Sequence, residues 1–222
     1  MMKYNIAIDG PAGAGKSTIA KKLAKDLGYV YVDTGAMYRA MAYYFIQNGI
    51  KADDVLAIEK ACVDVDVTIT YKDGEQQVIL NGENVNGVIR NEEVGNMASA
   101  TSIYPVVRTK LVELQRILAQ KENVIMDGRD IGTVVLPNAN VKIFLTASSR
   151  VRATRRYEEL QAKGIECNLD EIEKDIIERD RRDMNRETSP LKQADDAILL
   201  DSSDLDIDGV VERMKEIIEK AK

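Results

Sequence analysis

The residues Gly10-Pro11-Ala12-Gly13-Ala14-Gly15-Lys16-Ser17 fit the pattern G-x-x-x-x-G-K-[ST] at every fixed position. Glycines in this spacing let backbone N–H groups turn inward around an anionic phosphate, and a helix starting there adds the positive end of its dipole. Lys16 is placed to reach the β and γ phosphates of a nucleoside triphosphate. The Ser17 hydroxyl would stand near Mg²⁺, and Thr18 could bond a further phosphate oxygen. Whether Ser17 or Thr18 lies nearer the metal stays open. The motif specifies a nucleoside triphosphate but not what is done with it.

Arginines narrow the choice. Arg150, Arg152, Arg155 and Arg156 crowd one short segment, and Arg179, Arg181, Arg182 and Arg186 another. Guanidinium forks match phosphate oxygens bidentately and stabilise charge on a transferring phosphoryl group. Glu158, Glu159, Glu178 and Asp180 stand nearby, so any one of these arginines could equally belong to a solvated helix face. As a cluster they fit a lid that closes over ATP and keeps water out.

The chain has no histidine, and its two cysteines, Cys62 and Cys167, lie far apart. This leaves no usual zinc ligand set, no imidazole base and no disulfide framework, and it suits a reducing, cytoplasmic compartment. A monophosphate acceptor needs no base, because it already carries an anionic oxygen, with a second pKa near about 6. It needs positive charge to hold two polyanions together, so catalysis would be positioning and electrostatics. A GTPase switch is disfavoured because no Asn-Lys pair occurs to read guanine. A nucleic-acid motor is disfavoured by a length of 222 residues, a net charge of -6 and 5% aromatic content. A small-molecule kinase remains, with a nucleotide-binding regulator that transfers nothing as the alternative.

These residues need a scaffold, and the hydrophobic pattern supplies one. Tyr4 to Ile8 reads as a strand ending at Asp9-Gly10, and Ser17 to Leu27 as a helix stopped by Gly28. Tyr29 to Val32 is a second strand, Ala36 to Gln47 a helix, and Asp53 to Ala61 a shorter one. Val63 to Thr70 then alternates with period two, Lys72-Asp73-Gly74-Glu75 signals a turn, and Gln77 to Leu80 returns. An antiparallel hairpin amid βα units reads as an insertion, assigned to 64–100. A helix is expected after Pro105. Val124 to Met126 and Val141 to Leu145 are runs typical of buried parallel strands. Helices over Ser149 to Lys163 and Asp170 to Asn185 give a lid region at 148–185, followed by a strand at Ala197 to Leu200 and a closing helix from Ile207 to Lys220. The expected fold is one α/β domain over 1–222, a parallel sheet covered by helices on both faces. No signal peptide or membrane-length apolar stretch is legible, and nothing points beyond a monomer.

Three longer blocks carry a resemblance. Asp33-Thr34-Gly35-Ala36-Met37-Tyr38-Arg39, Asp127-Gly128-Arg129-Asp130-Ile131-Gly132-Thr133 and Glu178-Arg179-Asp180-Arg181-Arg182-Asp183-Met184-Asn185-Arg186 occur in this order after Ile8-Asp9-Gly10-Pro11. Together they resemble the bacterial cytidylate kinase family over nearly the whole chain. The resemblance implies a P-loop fold with an inserted acceptor domain and ATP-dependent transfer to CMP or dCMP with Mg²⁺. It implies that Arg39 and Arg129 hold the acceptor phosphate, that Thr34, Arg108, Asp130 and Arg186 line the cytosine pocket, and that Ser99, Arg179 and Asp183 contact the sugar. Tyr38 would pack near the acceptor, Asp33 near the Mg²⁺ and its waters, and Arg152, Arg155 and Arg156 would belong to the lid. Cytosine chemistry agrees, since its exocyclic amine needs an acceptor such as Asp130, and N3 and O2 need a donor such as Arg108. Asp33 could equally cap the helix that follows it, and Asp127 and Asp130 could be turn residues after a strand. A kinase for UMP or another small acceptor is the alternative within the class.

Overall fold

The structure, a computed structural model, describes residues 3–221. In chain order the elements are β1 (Asn5–Asp9), α1 (Lys16–Leu27), β2 (Val30–Asp33), α2 (Thr34–Gln47), α3 (Val55–Asp64), β3 (Val67–Lys72), β4 (Glu75–Leu80), β5 (Glu83–Asn84), α4 (Glu92–Thr101) and α5 (Pro105–Lys121). Then come β6 (Val124–Gly128), a one-turn π-helix (Ile131–Val135), β7 (Val141–Thr146), α6 (Ser149–Ala162), α7 (Leu169–Asn185), β8 (Ile198–Asp201) and α8 (Ile207–Lys220). Two compact units result. One consists of Tyr4–Tyr29 with Ile125–Lys222, and the other is essentially Val30–Val124.

Through the first unit the parallel sheet runs β6-β1-β7-β8. Ile8 of β1 stands opposite Ile143 of β7, and Leu145 of β7 opposite Leu200 of β8, both pairs parallel. Ile6, Ala7, Ile8, Ile125, Met126, Ile143 and Leu145 are buried, as the continuous apolar runs require. The last run differs: Ile198 is 47% and Leu199 56% exposed, and only Leu200 is buried, because β8 is an edge strand. Helix α1 buries Ile19, Ala20, Leu23 and Ala24 and stops at Gly28, whose φ of 68° is left-handed and whose N–H reaches the Ala24 carbonyl. It packs on α8, where Val210, Val211, Met214, Ile217 and Ile218 form the buried stripe. Lys22–Asp208 and Lys215–Asp26 ion pairs flank that contact. Helices α6 and α7 pack on each other.

In the second unit, α2 buries Met37, Ala40, Met41 and Phe45 and packs against α4 and α5. The hairpin is real: Lys72 pairs Glu75 across a two-residue turn in which Asp73 and Gly74 both take positive φ, 54° and 77°. Asn81 and Gly82 repeat the device at 48° and 87° and lead into β5, completing a three-stranded sheet β3-β4-β5. The hairpin therefore stands inside a larger unit, because Val78, Leu80, Val85 and Ile89 are buried in it. No helix among the described residues is long and apolar enough to cross a membrane.

Candidate active site

Strand β1 ends at Asp9, and the glycine loop turns from it into α1. Gly10, Gly13 and Gly15 take φ of 150°, 73° and 81°. At Gly10 space also forbids a side chain, since a Cβ would stand 1.9 Å from the Leu145 carbonyl oxygen. Pro11, Ala12 and Ala14 are buried, while Ser17 and Thr18 are exposed. Lys16 bends back and donates from Nζ to the Pro11 carbonyl at 2.7 Å. Burial pushes its amine well below the usual lysine range, and the charges of Arg129 and Arg179 push it further, against Asp127 and Asp9. Arg129 and Arg179 thus stand near Lys16, with Asp127 and Asp9 opposing them.

The Ser17 hydroxyl donates to Asp127 Oδ2 at 2.8 Å. A hydroxyl and a buried carboxylate at this spacing are hard oxygen donors, and they fit Mg²⁺, which takes few protein ligands beside phosphates and water.

Asp9, also buried, ties the loop to the segment after β6. Its Oδ1 accepts from the Ile131 N–H and its Oδ2 from the Gly132 N–H, both at 2.7 Å. These donors open the π-helix, whose wide turn is closed by Val135 N–H to the Asp130 carbonyl at 3.2 Å and Leu136 N–H to the Ile131 carbonyl at 2.7 Å. Burial raises the Asp9 pKa to about 6 although both N–H donors favour the carboxylate, and Asp130 adds to the rise. Arg129 and Asp130 immediately precede this anchored turn.

Arg129 donates from Nε to Asp183 Oδ2 of α7 at 2.8 Å, and Arg186 stands 3.7 Å from Asp130 with both side chains buried. Burial would raise the Asp183 pKa, but the charge and hydrogen bond of Arg129, with Arg186 and Arg179, outweigh it and hold the carboxyl below its usual range. Arg129, Asp130, Arg179, Asp183 and Arg186 therefore meet in one polar cluster. The lid arginines separate. Arg152 donates to the Ala12 carbonyl at 2.7 Å and pairs with Asp180 at 2.6 Å, so it reaches the phosphate loop's backbone. Arg155 is held by Ser202 Oγ and by the Ser202 and Leu205 carbonyls. Arg156 pairs with Glu159 on the exposed face of α6, and Arg150 with Asp170 and Glu173, as a solvated helix face would.

The second unit holds the other assigned residues. Asp33 caps α2, its Oδ1 accepting from Ala36 N–H at 2.9 Å, and its Oδ2 pairs with Arg90 at 2.7 Å. Gln76 of β4 brackets the same residue through its N–H and its carbonyl. Both carboxylate oxygens of Asp33 thus have structural partners. Thr34 opens α2 and is buried. Arg39 donates to the carbonyls of Ile89 and Asn91 at 3.3 and 3.1 Å, and its guanidinium lies where a Gly95 side chain would be, 2.9 Å from the Cβ position. Arg108 is buried, donates to the Ser102 carbonyl at 3.2 Å, and lies 5.5 Å over the Tyr38 ring. Ser99 is buried on α4.

No sequence pattern announces the contacts of Asp9, Asp127 and Asp180. Each is a carboxylate whose partner lies 110 to 168 residues away. The available signal was position, since Asp9 and Asp127 both stand at strand ends beside the glycine loop or a motif block.

A protein-family model described as cytidylate kinase matches residues 6–220. A protein named cytidylate kinase from Alkaliphilus metalliredigens (strain QYMF) is 52% identical over 212 residues, 96% of this chain and 94% of that one. Another of that name, from Exiguobacterium sp. (strain ATCC BAA-1283 / AT1b), is 50% identical over 217 residues, 98% and 97% of the two chains. Among solved structures, shikimate kinase from Bacteroides thetaiotaomicron is similar at a TM-score of 0.50 and 15% identity, over 97% of this chain and 98% of that one, a likeness of fold alone. A match that runs from the first strand into the last helix, at about half identity, means that the chain belongs to the cytidylate kinase family.

Proposed function

We propose that the chain transfers the γ-phosphoryl group of ATP to CMP or dCMP, giving ADP and CDP or dCDP. The observation that carries this reading is the polar cluster in which Arg129 pairs with Asp183 and Arg186 stands beside Asp130, with Arg129 and Arg179 near enough to Lys16 of the phosphate loop to act on its charge, an arrangement suited to two polyanionic phosphates. Family membership supplies the base. Ser17 and Asp127 would hold Mg²⁺, which would supply positive charge against the charge that develops on the transferring phosphoryl group. Asp33, with its oxygens on α2 and Arg90, is assigned to positioning α2 rather than to the metal.

Arg129 and Arg39 are assigned to the acceptor phosphate, and Arg179, Asp183 and Ser99 to the sugar. Asp130 takes the exocyclic amine of cytosine, with Arg186, Arg108 and Thr34 around the base. Uracil would set a carbonyl against the Asp130 carboxylate, leaving buried acceptors face to face. No imidazole is needed, because the acceptor oxygen is already anionic. The two free thiols suit a reducing compartment, so we place the enzyme in the cytoplasm, working as a monomer. Incubation with ATP, Mg²⁺ and CMP should yield CDP and ADP in equal amounts by anion-exchange chromatography. ATP consumed without CDP formation would overturn the reading.

A further inference from the structure

One residue of the phosphate loop is gripped by two helices. The Ala12 N–H donates to Asp180 Oδ1 of α7 at 3.0 Å, and the Ala12 carbonyl accepts from Arg152 Nη1 of α6 at 2.7 Å. The two side chains pair with each other at 2.6 Å, and Arg152 Nε donates to the Ala147 carbonyl at 2.9 Å. Arg152 is 6% and Asp180 7% exposed. A buried pair of this kind stabilises little by itself, because desolvation offsets most of the attraction. Its effect is geometric: it fixes Ala12 from both sides.

Two further observations point the same way. A Cβ on Gly13 would lie 3.4 Å from Arg152 Cβ and 3.7 Å from Ile176 Cδ1, ordinary contact distances, so α6 and α7 both flank the loop at this residue. Ile176, Asp180 and Asp183 form the buried stripe of α7, spaced four and then three residues apart on one face. The middle residue holds the phosphate loop, and the last holds Arg129.

We infer that Arg152 and Asp180 are positioning residues for ATP, a dyad that pre-sets the phosphate loop and registers it against the helix carrying Asp183. This rests on the reading that ATP occupies the loop. The dyad predicts an effect on ATP and not on CMP affinity. Asp180→Asn keeps the shape but weakens the hold on Arg152. The double variant Arg152→Met, Asp180→Leu removes both charges and so avoids a buried unpaired charge.

The test is calorimetric titration of the folded enzyme with a non-hydrolysable ATP analogue and Mg²⁺, beside the KM for CMP and amide exchange at Ala12. Both variants should bind the analogue roughly 10–100-fold more weakly, with the CMP KM within about two-fold of wild type. The double variant should cost at least as much as the Asn variant, because it removes both hydrogen bonds to Ala12. Its Ala12 amide should exchange faster. Variants that lose thermal stability but keep wild-type analogue affinity would overturn the dyad's role while leaving the kinase reading intact. Failure of the wild-type chain itself to bind the analogue would overturn the kinase reading and the dyad with it.

Discussion

The Ser17 hydroxyl and the Asp127 carboxylate meet at 2.8 Å although 110 residues separate them. The contact joins the start of α1 to the end of β6 and creates a pair of hard oxygens beside Lys16. Asp127→Asn keeps the hydrogen bond but removes the negative charge. Turnover should fall about 10²-fold, and the Mg²⁺ concentration giving half-maximal rate should rise several-fold. A Mg²⁺ titration of the initial rate checks both. An unchanged Mg²⁺ dependence would remove Asp127 from the metal site.

Gly95 leaves room on α4 for the Arg39 guanidinium, 2.9 Å from where its Cβ would be. Alanine is the better helix former, by about 0.5–1 kcal/mol. Gly95→Ala should therefore keep or slightly raise thermal stability while displacing the guanidinium. The KM for CMP should rise about ten-fold with the KM for ATP unchanged. A stabilised variant with wild-type CMP kinetics would show that Arg39 does not hold the acceptor phosphate.

Asp9 gives a pH signature of unusual sign. Its folded pKa, raised to about 6 from 3.8, means that the folded chain binds a proton the unfolded chain lacks between those values. Stability contributed through Asp9 is then full below about 4 and is lost as pH rises through about 6. The difference is on the order of 3 kcal/mol. Urea unfolding of wild type and Asp9→Asn at several pH values isolates it: the advantage of wild type over the variant should shrink as pH rises from about 4 to about 7. Asp183 acts in the opposite sense, because its depressed pKa gives stability that disappears in acid as pH falls through its folded pKa.

Much of this was legible in the sequence because it was local. The glycine loop, the stop at Gly28 and the turn at Asp73-Gly74 each depend on backbone conformations that few residue types adopt, so residue identity announces them. The Arg129–Asp130 and Arg179–Arg186 blocks were legible as motifs, and the structure gathers them through Asp183 and the Arg186–Asp130 pair. The grip on Ala12 was not legible. Asp180 sits among arginines on α7 and reads as a surface counterion, and only the fold brings it to a loop 168 residues earlier. The π-helix was hidden for a similar reason: its geometry depends on the Asp9 carboxylate arriving from another strand. The apolar Ile198 and Leu199 look like core residues, yet being last in the sheet leaves them exposed.

The identity of the acceptor is read from kcat/KM for CMP, dCMP, UMP, AMP and GMP, each with ATP and Mg²⁺ in a coupled ADP-release assay. CMP and dCMP should exceed the others by about 10²-fold or more, as expected when a wrong base leaves buried polar groups unpaired. Equal or greater efficiency with any other monophosphate would contradict the base-reading role of Asp130 and the assignment built on it.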